Sequence, residues 1–365
     1  MAEFRLEEYL AQGVENTMKE ILRASFSNPK ETAFMLRYAA HVKKASKRRA
    51  KQAEEGMHVP PFLICSITSR CNLHCAGCYA RANHSCHEQS TAGQLTGAEW
   101  GEVFRQAADA GISFVLLAGG EPMLRRDVLE AAAEVPQILF PIFTNGTMLN
   151  EEYCKLFDRA RNLFPVFSIE GDEQTTDARR GAGIYQKLRT NMQTMQEKGL
   201  LFGASVTVTA NNAAETVSDE FVQMLHESGC KAVFYVEYVP ADHQNAALAP
   251  DDAVREMHSG RVAVLREQYP DIVFLCFPGD EKASGGCLAA GRGFFHINAY
   301  GGAEPCPFSP FSDISVKTHS LTEVMQSKLF RALQEGGMLT EYHTGGCVLF
   351  EQEAAVRALI ASERN

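Results

Sequence analysis

The chain of 365 residues is longer than an average domain and long enough for an α/β barrel with a small appended module. With 45% hydrophobic and 22% charged residues it is an ordinary globular composition, and no apolar run reaches the length of a membrane span. The net charge of −10 argues against general nucleic-acid binding, and eleven cysteines without a signal-peptide core indicate metal ligation or free thiols rather than disulfides. We therefore expect a cytoplasmic protein that binds no nucleic acid and has no transmembrane segment.

Residues 1–58 form the first region and carry 11 Lys/Arg against 8 Asp/Glu, a net of +3, which leaves −13 for the rest of the chain. Apolar residues recur at near-helical spacing, as at Leu6, Leu10, Val14, Met18, Ile21 and Leu22. A basic run follows at Lys43, Lys44, Lys47, Arg48, Arg49 and Lys51. We expect an N-terminal helical extension packed on the barrel with a solvated basic end; the alternative is peripheral contact with an anionic partner or a membrane surface.

Residues 59–275 alternate short apolar runs with helical stretches. The pattern predicts strands over 62–68, 114–118, 139–144, 166–170, 203–209 and 232–239. It predicts helices over 97–110, 126–134, 151–161, 185–198, 215–227 and 251–269. Six alternations imply parallel strands joined by right-handed crossovers, hence an α/β sheet or partial (β/α)6 barrel whose chemistry collects at the carboxyl ends of the strands.

The first chemical motif follows the first strand, where Cys71, Cys75 and Cys78 have the spacing C-x3-C-x2-C. Three thiolates in one polar loop can converge on one metal centre. A cubane with three protein ligands keeps one iron open for a small molecule, whereas structural zinc normally has four closed ligands. Zinc, with a fourth ligand from His74, His84, Cys86 or Cys65, is the alternative, although this spacing is unusual for it.

This loop resembles the signature of the radical S-adenosylmethionine (SAM) superfamily over roughly residues 60–240. The resemblance implies a partial barrel of the radical SAM type, a SAM-binding [4Fe–4S] cluster held by the three cysteines, and reductive cleavage of SAM to a 5′-deoxyadenosyl radical. It also implies an electron donor such as flavodoxin or ferredoxin.

The same resemblance places further SAM contacts at the ends of the next strands. They are Gly119, Gly120, Glu121, Pro122, Asn145, Ser168, Glu170 and Arg180, with Tyr79 bordering the adenine. Glycines let the backbone approach a ligand, a carboxylate favours a cation, and a guanidinium fork suits a carboxylate. The alternatives are ordinary strand-to-loop turns, a surface arginine and core packing of the tyrosine. Glu237 and Tyr238, at the end of the sixth predicted strand, are further candidates for substrate or SAM contact, and core packing is the alternative.

A second cysteine set lies in the C-terminal region, residues 276–365, which closes on a helix predicted near residues 351–363. The layout C-x13-G-x4-C, from Cys287 through Gly301 to Cys306, is similar to the opening of SPASM/twitch extensions, which hold auxiliary [4Fe–4S] clusters. The resemblance makes Cys347 the third ligand. Because the later cysteine block of SPASM domains is absent, we expect one auxiliary cluster, with an open iron or a fourth ligand such as Cys276. The alternative is that these cysteines pack as small hydrophobes.

The combined pattern favours oxidative modification of a peptide or protein. The alternative within the same chemistry is radical modification of a small molecule, lipid or cofactor precursor. A more distant alternative is a metal-binding scaffold without catalysis, although a scaffold has no need of a SAM pocket.

Overall fold

The computed structural model describes residues 28–87, 91–241, 245–277, 284–339 and 347–362, together with isolated helical positions between residues 6 and 20. Part of the predicted apolar helix pattern, at Met18, Ile21 and Leu22, lies outside the described residues. In the described part of the chain, no helix is both long enough and apolar enough to cross a bilayer.

The described strands form one sheet in the order β7-β6-β5-β4-β3-β2-β1-β8-β9. They are β1 Phe62–Thr68, β2 Phe114–Gly119, β3 Phe140–Thr144, β4 Leu163–Ser168, β5 Gly203–Val208, β6 Ala232–Glu237, β7 Val273–Phe277, β8 His296–Ile297 and β9 Ala303–Glu304. All neighbours are parallel except the antiparallel hairpin β8–β9. The α/β prediction is confirmed. The described sheet has three strands beyond the six predicted: β7, which pairs in parallel with β6, and the hairpin β8–β9, which pairs with β1 through β8.

Helices precede the first strand, connect the successive parallel strands and follow the C-terminal hairpin. In chain order they are α1 Pro29–Glu54, α2 Tyr79–Ala82, α3 Gly97–Ala110, α4 Arg126–Ala133, α5 Glu151–Arg159, α6 Glu173–Arg180, α7 Ile184–Glu197, α8 Ala213–Thr216, α9 Asp219–Glu227, α10 Asp252–Gln268, α11 Leu321–Met325, α12 Lys328–Glu335, α13 Val348–Glu351 and α14 Glu353–Ser362. Helix α3 shows why the sequence predicts such ends well: Thr96 and Glu99 form a capping box, and Gly111 ends the helix at φ 97°.

The sheet is curled into a partial barrel. The rings of Phe62 on β1 and Phe277 on β7 lie 6.1 Å apart, although five strands separate β1 from β7 in the sheet. Phe143 on β3 and Phe234 on β6 meet at 5.2 Å across the inner face. Strands that are not hydrogen-bonded neighbours can touch only if the sheet bends around a common interior.

Helix α1 packs against the amino-end layer of this interior through Phe34, Met35, Tyr38 and Val42. The Tyr38 hydroxyl donates to the Ser113 carbonyl at 2.5 Å. The basic end of α1 is less solvated than the sequence predicts. The Arg48 and Arg49 guanidinium groups donate to backbone carbonyls at the end of α3. The four lysines of the basic run are exposed. Packing of α1 against α3 therefore accounts for two of the six residues in the basic run, Arg48 and Arg49.

The C-terminal region shares the sheet of the barrel. Strand β8 pairs in parallel with β1, with Ile64 opposite His296, and β9 folds back on β8 through a turn at Gly301, whose φ is 88°. Strand β7 also crosses the predicted boundary at residue 276. The division of the chain at residues 58 and 275 stays a prediction.

Replacing Phe234 with Ala tests the inner packing. Phe234 is 2% exposed and its ring meets Phe143, so we expect the free energy of unfolding to fall by about 3–5 kcal/mol, measured by anaerobic denaturant titration. The control is Leu36→Ala on α1, where the side chain is 59% exposed and a change within roughly 0.5 kcal/mol is expected. Equal losses in the two variants would contradict the curled-sheet core.

Candidate functional site

The first cysteine set, Cys71, Cys75 and Cys78, lies in the loop after β1, at the carboxyl end of the sheet, and all three side chains are partly exposed. Cys78 precedes the first residue of α2. The backbone N–H of Ala76 donates to the Arg179 carbonyl at 2.8 Å, which fixes the loop to the end of α6. The loop is therefore held by a neighbouring element while its thiols remain partly accessible.

Two glycines let the end of β2 approach this loop. A Cβ atom on Gly119 would overlap the Thr68 carbonyl oxygen, and one on Gly120 would overlap the carbonyl oxygen of Arg70, directly before the first cysteine. The N–H groups of Gly120 and Glu121 donate to those carbonyls, each at 2.8 Å. The glycine pair is thus required by the close contact of two backbones. Its predicted contact with SAM stays a prediction, as does that of Pro122, which begins a short 3₁₀ turn.

Glu121 is 1% exposed and joins the ends of β2 and β3. Its carboxylate accepts from the Met123 N–H at 2.9 Å, the Thr144 hydroxyl at 2.7 Å and the Asn145 N–H at 2.8 Å. Burial raises the pKa of Glu121, although these hydrogen bonds act in the opposite direction. The carboxylate therefore organises the rim of the site, and contact with the SAM ammonium stays a prediction.

Asn145 covers the first cysteine. Its side-chain amide donates to the Asn72 side-chain oxygen Oδ1 at 2.9 Å and approaches the Cys71 sulfur at 3.9 Å. Thr147 completes the network by donating to Asn145 at 2.6 Å and accepting from Asn72 at 2.7 Å. An N–H donor beside the sulfur stabilises a thiolate, which is the form that binds metal.

Glu170 is fully buried and contacts two arginines. The guanidinium groups of Arg180 and Arg179 lie 2.5 Å and 3.1 Å from the same carboxylate oxygen of Glu170. The backbone N–H of Thr207 donates to the other carboxylate oxygen at 2.9 Å. Strand β4 begins at Leu163 and ends at Ser168, so the predicted bounds of 166–170 are wrong at both ends and Glu170 follows the strand. Ser168 contacts the hydroxyl of Ser205 at 3.1 Å.

The arginine pair compensates the charge of the cysteine loop. Arg180 reaches within 3.9 Å of the Cys75 sulfur. Burial alone would lower the pKa of this guanidinium, but the Glu170 carboxylate and the Cys75 thiol raise it. Burial raises the pKa of Cys71, and the Leu73 N–H bond at 3.5 Å lowers it. Two cations with one carboxylate leave one positive charge to favour thiolates or an anionic ligand.

The donor set fits a cluster with three protein ligands. In the described ranges, no three His, Cys, Asp or Glu side chains converge closely enough to hold a single metal ion. A cubane distributes its thiolates over several irons and does not need such convergence. The first cysteine set would hold this cluster, with Asn145 and Arg180 beside its sulfurs.

The second cysteine set, Cys287, Cys306 and Cys347, also comes together. Cys306 is buried, and a hydrogen bond with the Cys347 side chain, burial and the nearby Cys287 thiol raise the pKa of Cys306. Cys276 lies on β7 opposite Tyr235, and its described charged neighbour is Arg266. The three cysteines named by the C-x13-G-x4-C pattern and its continuation are neighbours in space.

Tyr79 lies between the two cysteine sets. Its ring packs edge-on against Phe308 at 4.9 Å, and burial raises its pKa, together with the Cys78 and Cys306 thiols. Asn83, after α2, donates to the Pro307 carbonyl at 3.0 Å. Helix α2 therefore joins the first loop to the segment after Cys306, and the predicted adenine contact of Tyr79 stays a prediction.

Tyr238 and Cys86 lie beside the first loop, and Glu237 is engaged elsewhere. The Tyr238 ring lies against Gly77, where a Cβ would be 2.9 Å from a ring carbon, whereas Glu237 pairs with Arg255 at 2.5 Å. Cys86 is 5% exposed; burial, together with the nearby Cys71 and Cys78 thiols, raises its pKa to about 12.

One buried polar group was not predicted from the sequence. His296 on β8 contacts Glu304 on β9 at 2.7 Å and Ser66 on β1 at 2.7 Å. The alternation His296–Ile297 and Ala303–Glu304 around a Gly turn could have indicated a paired His and Glu on one face. The contact with Ser66 joins residues 230 positions apart, for which the sequence carries no local signal.

Comparisons with known proteins agree with this geometry. Residues 65–222 match the family model described as the radical SAM superfamily. The chain is 29% identical to the Fe-coproporphyrin III synthase of Methanosarcina barkeri over 42% of this chain and 39% of that protein. It is 24% identical to the AdoMet-dependent heme synthase of the same organism, over 76% and 86%. It is 28% identical to the PqqA peptide cyclase of Methylocella silvestris, over 59% and 58%.

The fold has solved counterparts. The Streptococcus suis SuiB structure bound to S-adenosylmethionine superposes with a TM-score of 0.67, at 18% identity, over 85% of this chain and 79% of that one. At this identity the likeness supports the fold alone. The chain spans well under two thirds of Fe-coproporphyrin III synthase and of PqqA peptide cyclase.

Replacing Gly120 with Ala tests the contact between β2 and the cysteine loop. The added methyl group would overlap the Arg70 carbonyl, so the loop must move and we expect iron bound after anaerobic reconstitution to fall by roughly half, as loss of one of two cubanes would give. Gly260→Ala is the control, because nothing lies within 4 Å of its added Cβ. Normal iron content in Gly120→Ala would contradict the contact.

Proposed function

Because residues 65–222 are a radical SAM domain, we propose that the chain reductively cleaves S-adenosylmethionine and oxidises a peptide or protein substrate with the resulting radical. The observation that carries this proposal is the first cysteine set with Arg180 and Asn145 beside its sulfurs. A [4Fe–4S] cluster bound there would supply the electron that splits SAM and yields the hydrogen-abstracting 5′-deoxyadenosyl radical.

The protein's own residues would bind and orient the cofactor. Arg180, aligned by the buried Glu170, is placed to pair with an anionic group at the cluster. Glu121 holds the β2 turn close to the loop through three hydrogen bonds. The inner face supplies the Ser168 and Ser205 hydroxyls near the carboxyl ends of the strands, where a SAM ribose or substrate can be bound.

The second cysteine set supports a two-centre oxidation. Its thiols are suited to an auxiliary [4Fe–4S] cluster, and Tyr79 joins the two sets through Phe308. A peptide substrate is supported by relatives named PqqA peptide cyclase and sporulation killing factor maturation protein SkfB; the latter is 28% identical over 44% of this chain. An electron donor of the flavodoxin or ferredoxin class would reduce the first cluster.

A second candidate substrate class is a tetrapyrrole or a related cofactor precursor. The match to AdoMet-dependent heme synthase covers 76% of this chain, more than the 59% of the match to PqqA peptide cyclase. Anaerobic incubation with SAM, a reductant and either a peptide-size or a small-molecule fraction of the native cell extract separates the two classes. The fraction that raises 5′-deoxyadenosine formation and yields an oxidised product identifies the substrate.

Replacing the first cysteine set with Ala should abolish SAM cleavage. Without its three thiolates the SAM-binding cluster has no protein ligands, so 5′-deoxyadenosine should fall to the level without protein, measured by liquid chromatography under dithionite. Cys154→Ala is the control, since Cys154 is buried on α5, away from both sets. SAM cleavage by the triple variant at the wild-type rate would reject the proposal.

Replacing the second cysteine set with Ala should separate the two centres. Iron should fall from about eight to about four per chain, as expected for the loss of one of two cubanes. We expect substrate oxidation to fall more than SAM cleavage, because the residual cluster still binds SAM. Full substrate turnover by this variant would refute an auxiliary role for the second set.

A further inference from the structure

A buried chain of hydrogen bonds joins the barrel to the C-terminal hairpin. The His296 imidazole is 3% exposed; its Nδ1 lies 2.7 Å from the Glu304 carboxylate and its Nε2 lies 2.7 Å from the Ser66 hydroxyl. The other Glu304 oxygen accepts from Asn298 at 2.6 Å. Glu304 is thus engaged on both oxygens, and His296 on both nitrogens.

These contacts are compatible with one order of donors and acceptors along the three side chains. In the tautomer with its proton on Nδ1, His296 donates to a carboxylate oxygen of Glu304. In the neutral ring Nε2 then accepts, and the Ser66 hydroxyl donates to it. The arrangement has the order carboxylate, imidazole, hydroxyl, in which the carboxylate orients the ring and the ring can take a proton from the hydroxyl.

The three hydrogen-bonded side chains face the barrel interior. Ser66 is partly exposed and alternates along β1 with the buried outward-facing Cys65 and Ile67. His296 lies opposite Ile64 in the parallel pair β1–β8, so its side chain is on the same inner face. Glu304 pairs with His296 and shares that face.

The hydrogen-bonded residues are also close in sequence to both cysteine sets. Ser66 is five residues before Cys71, and Glu304 is two residues before Cys306. Burial raises the pKa of the Tyr79 phenol, and the nearby Cys78, Cys306 and Glu304 side chains raise it further. The proposed function uses no residue of this hydrogen-bond chain.

We propose that Ser66 and His296 form the proton acceptor of the oxidation: a substrate O–H or N–H donates to the Ser66 hydroxyl, whose proton passes to His296 Nε2. This inference rests on the proposed function. A two-electron oxidation needs such an acceptor, because removal of one hydrogen atom leaves a radical that must still lose an electron and a proton.

A substrate H–C–X–H, with X nitrogen or oxygen, loses its carbon-bound hydrogen atom to the 5′-deoxyadenosyl radical and forms 5′-deoxyadenosine. An oxidised iron–sulfur centre held by the second cysteine set would accept one electron from the substrate radical, and the X-bound proton passes to Ser66 and His296. The C–H and X–H bonds break, and a C=X bond forms.

The test is His296→Ala with added imidazole. We incubate the anaerobically reconstituted variant with SAM, dithionite and the native cell extract, and measure 5′-deoxyadenosine and oxidised product by mass spectrometry. We expect wild-type 5′-deoxyadenosine and an oxidised product reduced by about 100-fold or more, the range for a lost general base. Imidazole that enters the vacated space should restore much of the product, which it could not do if His296 only held the hairpin.

Controls separate this inference from the proposed function. Ser66→Ala should lower product as His296→Ala does, without imidazole rescue, and iron content and the electron paramagnetic resonance spectrum of the second centre should match wild type. The matched control is His258→Ala on α10, a histidine that is 8% exposed and packs against Tyr235 outside the barrel interior.

Three results would overturn the inference. The first is full product formation by His296→Ala without imidazole. The second is a product loss that imidazole does not restore although iron content is normal. The third is a wild-type product that carries no net oxidation, for which no proton acceptor is needed. By contrast, wild-type protein that forms no 5′-deoxyadenosine would reject the proposed function itself.

Discussion

The close contact between the end of β2 and the loop after β1 is the constraint on which the site depends. Neither Gly119 nor Gly120 can carry a side chain, because the carbonyls of residues 68 and 70 occupy that space. The two N–H bonds of this contact place the loop before Cys71, and Glu121 then fixes the same turn to β3. A site for three thiolates therefore begins with backbone contacts, and the polar side chains add to a loop that is already positioned.

Charge around the loop follows a second constraint. Three thiolates at a partly buried site repel one another and favour the protonated form unless cations or N–H donors are near. Arg180 and Asn145 meet that need from opposite sides, at Cys75 and Cys71. The buried Glu170 is shared by Arg179 and Arg180, so it orients the arginines without cancelling both charges. The same residual positive charge suits an anionic cofactor group.

Much of this could be predicted from the sequence where the signal is local. Strand β1 and helix α3 have the predicted bounds, because apolar alternation and a capping box are short-range patterns. The cysteine spacings likewise identified two sets that the structure gathers. Strand β7 was not predicted because its apolar run follows the last expected helix. Strand β4 begins and ends earlier than predicted, so Glu170 follows it. The roles of Arg179 and His296 depend on partners distant in the chain, and no local pattern encodes such pairs.

The pairing of β8 with β1 connects the two halves of the site. Because register in a parallel pair fixes which side chains share a face, the match of Ile64 with His296 also sets the face on which Glu304 lies. A shift of one residue would turn His296 toward the outer helices and leave a buried imidazole and carboxylate without their partners. The C-terminal hairpin is thus held in one register by apolar residues outside and by hydrogen bonds inside. That register places β8 between β1, which leads to Cys71, and β9, which leads to Cys306, so one sheet carries both strands that precede the cysteine sets.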